Sequence, residues 1–439
     1  MTSAPRGGQQ RTTVVTYQRQ SALCAYPVIW NLAIVAGLLG TQAAQAKSCP
    51  VPGGTSSSPT DFARYLSNQA CDEYVLRDGW YTFPNLARSA ITIRAEHAGK
   101  ARITNGFAIT AAGVTIDGIS REGEKGPVAV KAPGAIIKNC SFANFGKTSY
   151  GKAVWIWDES LNADQITVIT NNTFDNWGGS PASACVIIGT TQDAPHVMDK
   201  ISVHVLNNRF VDGPTASQNP QGGNSAIQAF DPFLASGNYI DTVNGPAIQN
   251  KTKNSKIAHN TIVNCTGGWG ALYNRAFGGN QWLNNVVMHS DVGFDVFQGD
   301  HILFQGNVFY DVQYFGNIKN FRSGTHDLTF RNNTFYRSSG WAGVIWDKNS
   351  GGTFSGIVWQ DNVFCETKGR AIAWSGDYDK TIWDEYGNVY WHSQRPTQPT
   401  AGSTGTSIEM DPKFARAPDN FTITAPAVVG KGAKWPPDH

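Results

Sequence analysis

Ala226-Ile227-Gln228-Ala229-Phe230, Ala247-Ile248-Gln249-Asn250-Lys251 and Ala271-Leu272-Tyr273-Asn274-Arg275 are three short segments that read alike. Each opens on Ala and a branched aliphatic residue, then alternates. Each is followed by an Asn and a hydrophobic residue: Asn238-Tyr239, Asn260-Thr261-Ile262 and Asn285-Val286. Self-similarity at a regular spacing marks a repeat architecture. The landmark recurs outward at Asn172-Thr173-Phe174, Asn208-Arg209-Phe210, Asn307-Val308-Phe309, Asn333-Thr334-Phe335, Asn362-Val363-Phe364 and Asn388-Val389-Tyr390, at intervals of 22 to 36 residues. The shortest interval suits one turn of three short strands and three bends. The longer ones are that turn plus a loop.

A single coil of this kind cannot bury its apolar face, and stacking gives it a continuous core. Asn at a repeated bend tolerates left-handed backbone and can bond to the coil above. The expected fold is all-β, a single-stranded right-handed parallel β-helix from about Tyr74 to Tyr390. A propeller needs blades of about 40 residues, more than the shortest intervals allow.

Composition agrees. Of 439 residues only 15% are charged, while Gly numbers 46 and Trp 14, a texture of short strands and tight turns. A net charge of +2 gives no sign of a nucleic-acid partner.

Residues 1–46 read as an export signal. Arg6, Arg11 and Arg19 form a basic leader, Val28 to Gly40 an apolar run, and Ala44-Gln45-Ala46 a cleavage site. The apolar run is short for a membrane anchor. The expectation is a secreted or periplasmic monomer with no membrane span after signal removal. Residues 47–73 read as a linker and a short N-terminal capping helix, with Phe62, Tyr65 and Leu66 on one face. Residues 74–439 read as the β-helix, closed by a C-terminal cap at Met410-Asp411-Pro412-Lys413-Phe414 and Ala425 to Gly430. Cys49 and Cys71 bracket one short segment and are the expected disulfide. Cys140, Cys185, Cys265 and Cys365 read as buried thiols.

Side chains alternate in and out along a strand. Aligning the look-alike segments gives one outward column of Trp157, Phe230, Lys251, Arg275 and Phe297. Its neighbour holds Trp155, Gln228, Gln249, Tyr273 and Asp295. A pair of cations flanked by aromatic rings and amides suits an acidic sugar chain. Such chains are cleaved by β-elimination, in which a base removes the proton beside the uronate carboxylate. Lys serves as that base only when neutral, and an adjacent Arg favours the neutral form.

These residues resemble the polysaccharide lyases of the chondroitinase B and alginate lyase type. The family strand I-S-V-K-S and the later L-R-H-G are echoed by Ile248-Gln249-Asn250-Lys251-Thr252 and Asn274-Arg275-Ala276-Phe277-Gly278. The opening coil, Val75 to Tyr81 and Ile91 to Glu96, is also similar. The resemblance implies a parallel β-helix, Lys251 as base and Arg275 as partner at the leaving group. Calcium-dependent members place Glu five and seven residues before the Lys. Pro246 and Asn244 stand there, so no metal is expected. The family's His after the Arg is Ala276.

Two other readings share the fold. A glycoside hydrolase would use paired carboxylates, for which Asp295, Asp300, Asp158 and Glu159 are candidates. A non-catalytic glycan-binding surface protein would use the cations only to bind.

Overall fold

The computed structural model describes residues 47–434, apart from 148–150, 181–182, 191–198, 220–221, 276–277, 320–323, 348–352, 376–382 and 396–405. The expected export signal and Ala276 lie outside the described residues.

The described chain forms three long parallel sheets. One has 14 strands and runs from Ser48–Val51 to Trp383–Tyr386. A second has 15, from Thr60–Asp61 to Ile408–Glu409. The third has 11, from Phe107–Ile109 to Arg370–Ser375. Successive strands pass from sheet to sheet, and each returns beside its predecessor one coil on. That path is a parallel β-helix, and its crossovers take the right-handed sense that parallel connections adopt.

Register puts like on like. Ile227, Ile248, Leu272 and Phe294 are neighbours in one inward column of the third sheet, and all are buried. Gly316 follows Phe294 in that column. A Cβ there would stand 2.3 Å from the Phe294 ring, so only Gly leaves the ring room. Aromatic stacks continue the core, such as Phe142, Phe174 and Phe210, with centroids 5.1 and 4.7 Å apart.

The Asn landmarks form one buried ladder. Asn172 donates to Asn208 Oδ1 from its backbone N–H at 2.9 Å and from Nδ2 at 3.0 Å. The same double donation passes through Asn238, Asn260, Asn285, Asn307, Asn333 and Asn362 to Asn388. The left-handed residue is not the ladder Asn, as the sequence suggests, but the one before it. Asn171 and Asn207 have φ of 55°, His259 57° and Asn284 52°. The preceding residue makes the turn. The ladder residue then points inward, where only an amide offers both donor and acceptor to the next coil.

The coil stack begins earlier than expected. Ser48–Val51 pairs with Glu73–Leu76, so residues 47–73 contribute rungs as well as a cap. Cys49 and Cys71 are disulfide-bonded. The other cysteines described are free and buried. The helix is one turn, Ala63–Leu66. Phe62 before it is buried and stacks on Phe83 at 4.7 Å, with Tyr65 and Leu66 packed alongside. At the other end, Phe414–Arg416 and Asn420–Ile423 form an antiparallel hairpin. Phe421 packs 5.3 Å from Tyr336 and 5.9 Å from Tyr310, so this segment covers a flank of the second sheet.

Candidate functional site

The outer face of the third sheet carries the site. Trp155, Ile187, Gln228, Gln249, Tyr273, Asp295 and Asn317 stand side by side in register on seven successive strands. Ala229, Asn250 and Asn274 are likewise in register, so Phe230, Lys251 and Arg275 follow them in step. Lys251 and Arg275 thus hold equivalent places on adjacent rungs, about 4.8 Å apart at the backbone.

Beyond Arg275 the column differs from the sequence reading. The register shifts between Asn274 and Arg275, and Arg275 lies opposite Gln298 rather than Phe297. One extra residue in a strand bends it and re-aims a side chain. Two rungs also went unrecognised, Ala184–Ile188 and Tyr314–Lys319. The first carries Cys185 where the look-alike segments carry their leading Ala and is wholly apolar, and the second opens on Tyr, so neither matches the Ala-led pattern. The second brings in Lys319. Its signal was the strand's place between the landmarks Asn307 and Asn333.

Rings support the cations. Lys251 is 8% exposed, with Nζ 5.0 Å from the Phe230 ring. The Arg275 guanidinium lies 5.7 Å from the Phe297 ring, and Lys319 Nζ 5.1 Å from the same ring. Each ring face thus holds a basic head in place on the outer surface. Lys319 Nζ also bonds Asp295 Oδ2 at 3.0 Å, and Asp295 is fully buried. Gln228 Nε2 donates to Gln249 Oε1 at 2.7 Å. Tyr273 is 1% exposed, between Trp269 at 5.6 Å and Phe297 at 6.1 Å. Burial pushes its phenol well above the usual value. Asp295 adds to the rise and Arg275 opposes it. At neutral pH Tyr273 therefore keeps its phenol proton.

Gln228, Gln249, Phe230, Tyr273, Asp295 and Phe297 thus gather around Lys251 and Arg275. Trp155 and Trp157 do not. They lie three rungs away, about 14 Å along the axis. Their rings are 4.2 Å apart. Lys152 Nζ sits 3.5 Å over Trp155 and Lys131 Nζ 4.3 Å over Trp157, and Trp155 Nε1 donates to Gly189 O at 3.2 Å.

The calcium position implied by the resemblance falls at Asn244 and Pro246. Asn244 is buried, and its Nδ2 donates to Asn219 O. Its Oδ1 has no hydrogen-bond partner among the described residues, and Pro246 has no side-chain oxygen. One amide oxygen falls far short of the six to eight oxygens that calcium takes. No cluster of three or more His, Cys, Asp or Glu suited to a metal occurs among the described residues. The residues present do not fit the ion.

The carboxylates named for a hydrolase are dispersed. Asp295 is held by Lys319, and Asp300 lies 3.3 Å from His301. Asp158 accepts from Thr190 Oγ1. A pair absent from the sequence reading does converge, however. A Cβ built on Gly189 would meet Asp231 Oδ2 at 2.7 Å and Asp158 Oδ1 at 3.4 Å.

Fold and site together define a parallel β-helix with a basic, aromatic-backed outer face. No protein-family model and no curated protein sequence matches the chain. Solved structures do. One is the PL6 family alginate lyase AlyGC, with TM-score 0.60, 14% identity and 89% of this chain covered. The chain spans 57% of that lyase. A PL6 alginate lyase in complex with trisaccharide gives 0.59 and 16%, covering 89% of this chain and 92% of its own. Alginate lyase AlyF-OU02 with G6 gives 0.53 and 16%, covering 83% and 86%. At these identities the likeness is one of fold.

Proposed function

We propose that the protein is a polysaccharide lyase that cleaves an acidic, uronate-containing polysaccharide by β-elimination. The observation that carries this reading is the placement of Lys251 and Arg275 at equivalent positions of adjacent rungs, ringed by Phe230, Phe297, Tyr273, Gln228 and Gln249. The similarity in fold to alginate lyases supports it.

In the proposed reaction the neutral Lys251 amine takes the proton on the carbon beside the carboxylate. The electron pair left behind forms a carbon–carbon double bond, and the bond to the glycosidic oxygen breaks. That oxygen takes a proton from Tyr273, or from water while Arg275 steadies its charge. The products are a chain with an unsaturated uronate at its new end and a chain with a new hydroxyl. No step runs through a metal, because Asn244 and Pro246 do not suit one. No helix among the described residues is long and apolar enough to cross a membrane. We place the protein in the periplasm or outside the cell, on the strength of a leader with basic residues before an apolar run.

The test is incubation with alginate, pectate, chondroitin and glucuronan, following ultraviolet absorbance of the unsaturated uronate. Absorbance on one of them supports the lyase. New reducing ends without absorbance favour a hydrolase, for which the converging Asp158 and Asp231 are the specific observation. Binding without either signal leaves a glycan-binding protein.

A further inference from the structure

Arg121 is a buried cation outside the site described above. It is 2% exposed, and its Nη2 donates to Gly126 O. Its Nε has no hydrogen-bond partner among the described residues. Burial brings its pKa down to about 10, against the pull of Glu124. A guanidinium N–H buried without a partner is costly, and such a group calls for an explanation.

The surroundings supply one. Arg121 lines a concavity of about 140 Å³ together with Glu124, Phe145, Lys152 and Trp155. Gly123, Gly126 and Gly151 leave its walls bare of side chains. Lys152 Nζ is held 3.5 Å from the Trp155 ring, and burial lowers its pKa. Glu124 offsets part of the charge on Arg121, and an anion entering the concavity would relieve the remaining desolvated charge of Arg121 and Lys152. The space is smaller than a pocket that swallows a drug-sized ligand, so it suits one residue of a chain. Trp155 stands in the same outward column as Gln228, Gln249 and Tyr273. The concavity therefore lies along the line of the proposed cleavage site, about 14 Å from Lys251.

We propose that Arg121, Lys152 and Trp155 form a distal subsite that binds the carboxylate of a uronate residue several units from the bond cleaved. Glu124 accepts from a sugar hydroxyl there, and Lys131 on Trp157 adds positive charge beside it. The inference rests on the reading of the substrate as a polyuronide. It goes further by assigning a chain-length preference: a trimer centred on Lys251 does not reach the subsite, and an octamer does.

The test compares wild type with Lys152→Met, which keeps the apolar stem over Trp155 and deletes the charge. The quantity read is kcat/KM on a uronate octamer divided by that on the trimer. A ratio about tenfold lower in Lys152→Met supports the subsite. An unchanged ratio overturns it, including the case in which both substrates suffer alike. Tryptophan fluorescence titration with the octamer is run in parallel and needs no turnover. If the wild type cleaves no polyuronide, the lyase reading fails on its own. The subsite then stands if Lys152→Met binds the octamer about tenfold more weakly, and falls if the two proteins bind equally. A circular-dichroism melt matched to wild type confirms that the variant is folded.

Discussion

Lys251 and Arg275 occupy equivalent positions on adjacent rungs, yet their charged heads lean apart. Lys251 Nζ rests on Phe230 from the preceding rung, and the Arg275 guanidinium on Phe297 from the following one. Like charges a rung apart repel, and each ring offers its cation a partner away from the other. Gln249 and Tyr273 stand opposite each other in the neighbouring outward column, each on the same rung as one of the two cations. Lys251→Ala is expected to lower kcat by roughly 10² to 10⁴ with a small change in substrate affinity. Arg275→Lys is expected to fail nearly as badly, since a point charge does not reproduce the planar fork. Steady-state kinetics on the cleaved polyuronide checks both. Full activity in Lys251→Ala sinks the mechanism.

Tyr273 offers a separate handle. Burial raises its phenol above the usual value, so the native state keeps the proton where the unfolded chain begins to lose it. A raised folded pKa contributes stability that is fully present below the unfolded value, near 10, and is lost as pH climbs through the folded value. Tyr273→Phe should therefore lose less stability between pH 9 and 11 than wild type. It should also turn over about 10²-fold more slowly if the phenol serves the leaving oxygen. Denaturant melts across that pH range, paired with kcat, separate the two effects.

The ladder predicts where the fold is brittle. Asn307 accepts from the Asn285 backbone N–H and from Asn285 Nδ2, at 2.9 and 3.0 Å. Asn307→Leu strands both donors in a dry interior. Each costs about 1 to 3 kcal/mol, so a loss of about 3 kcal/mol or more is expected in urea unfolding. A loss below about 1 kcal/mol would show that water or backbone shifts replace the amide.

How far the sequence reached follows from the same residues. Asn172 to Asn388 announce the coil because every ladder bond needs the same side chain, so chemistry repeats as letters. Lys251 and Arg275 were legible because both strands share an Ala-led pattern. Lys319 was not, since the core beside it is filled by Phe294 against Gly316 rather than by an aliphatic residue. The bulge after Asn274 was not legible either, because a one-residue slip leaves no mark on local composition. The cation over each Trp was also hidden. Lys152 reaches Trp155 along its own strand, whereas Lys131 reaches Trp157 from elsewhere in the chain. The alternating pattern foretold rings on the outer face and could not foretell what covers them.

Metal dependence gives a further check. Asn244 is tied to Asn219, and Pro246 contributes no side-chain oxygen. Turnover is expected to survive exhaustive chelation unchanged, and added calcium should not raise the melting temperature. Activity lost in chelator and restored by calcium would reverse this expectation.

Asp295 and Lys319 supply the most stringent prediction. Asp295 is fully buried and stands opposite Tyr273 on the neighbouring rung. Lys319 closes on it at 3.0 Å from the outer, partly exposed side. Removing one member of a buried pair leaves an uncompensated charge, at a cost of about 3 to 5 kcal/mol, whereas replacing both with apolar residues is often neutral. The Lys319→Met single variant is therefore expected to be strongly destabilised, and Asp295→Leu with Lys319→Met to recover much of that loss. The functional outcome runs the other way. If Asp295 only balances Lys319, the double variant keeps its turnover. If the pair fixes the field at Tyr273, the double variant is stable and slow. Its activity should then decline less at high pH or low pH than wild type's, according to whether the acid or the base limits the rate. Equal stability in the Lys319→Met single and double variants would show that the pair is not coupled, and would remove Lys319 from the site.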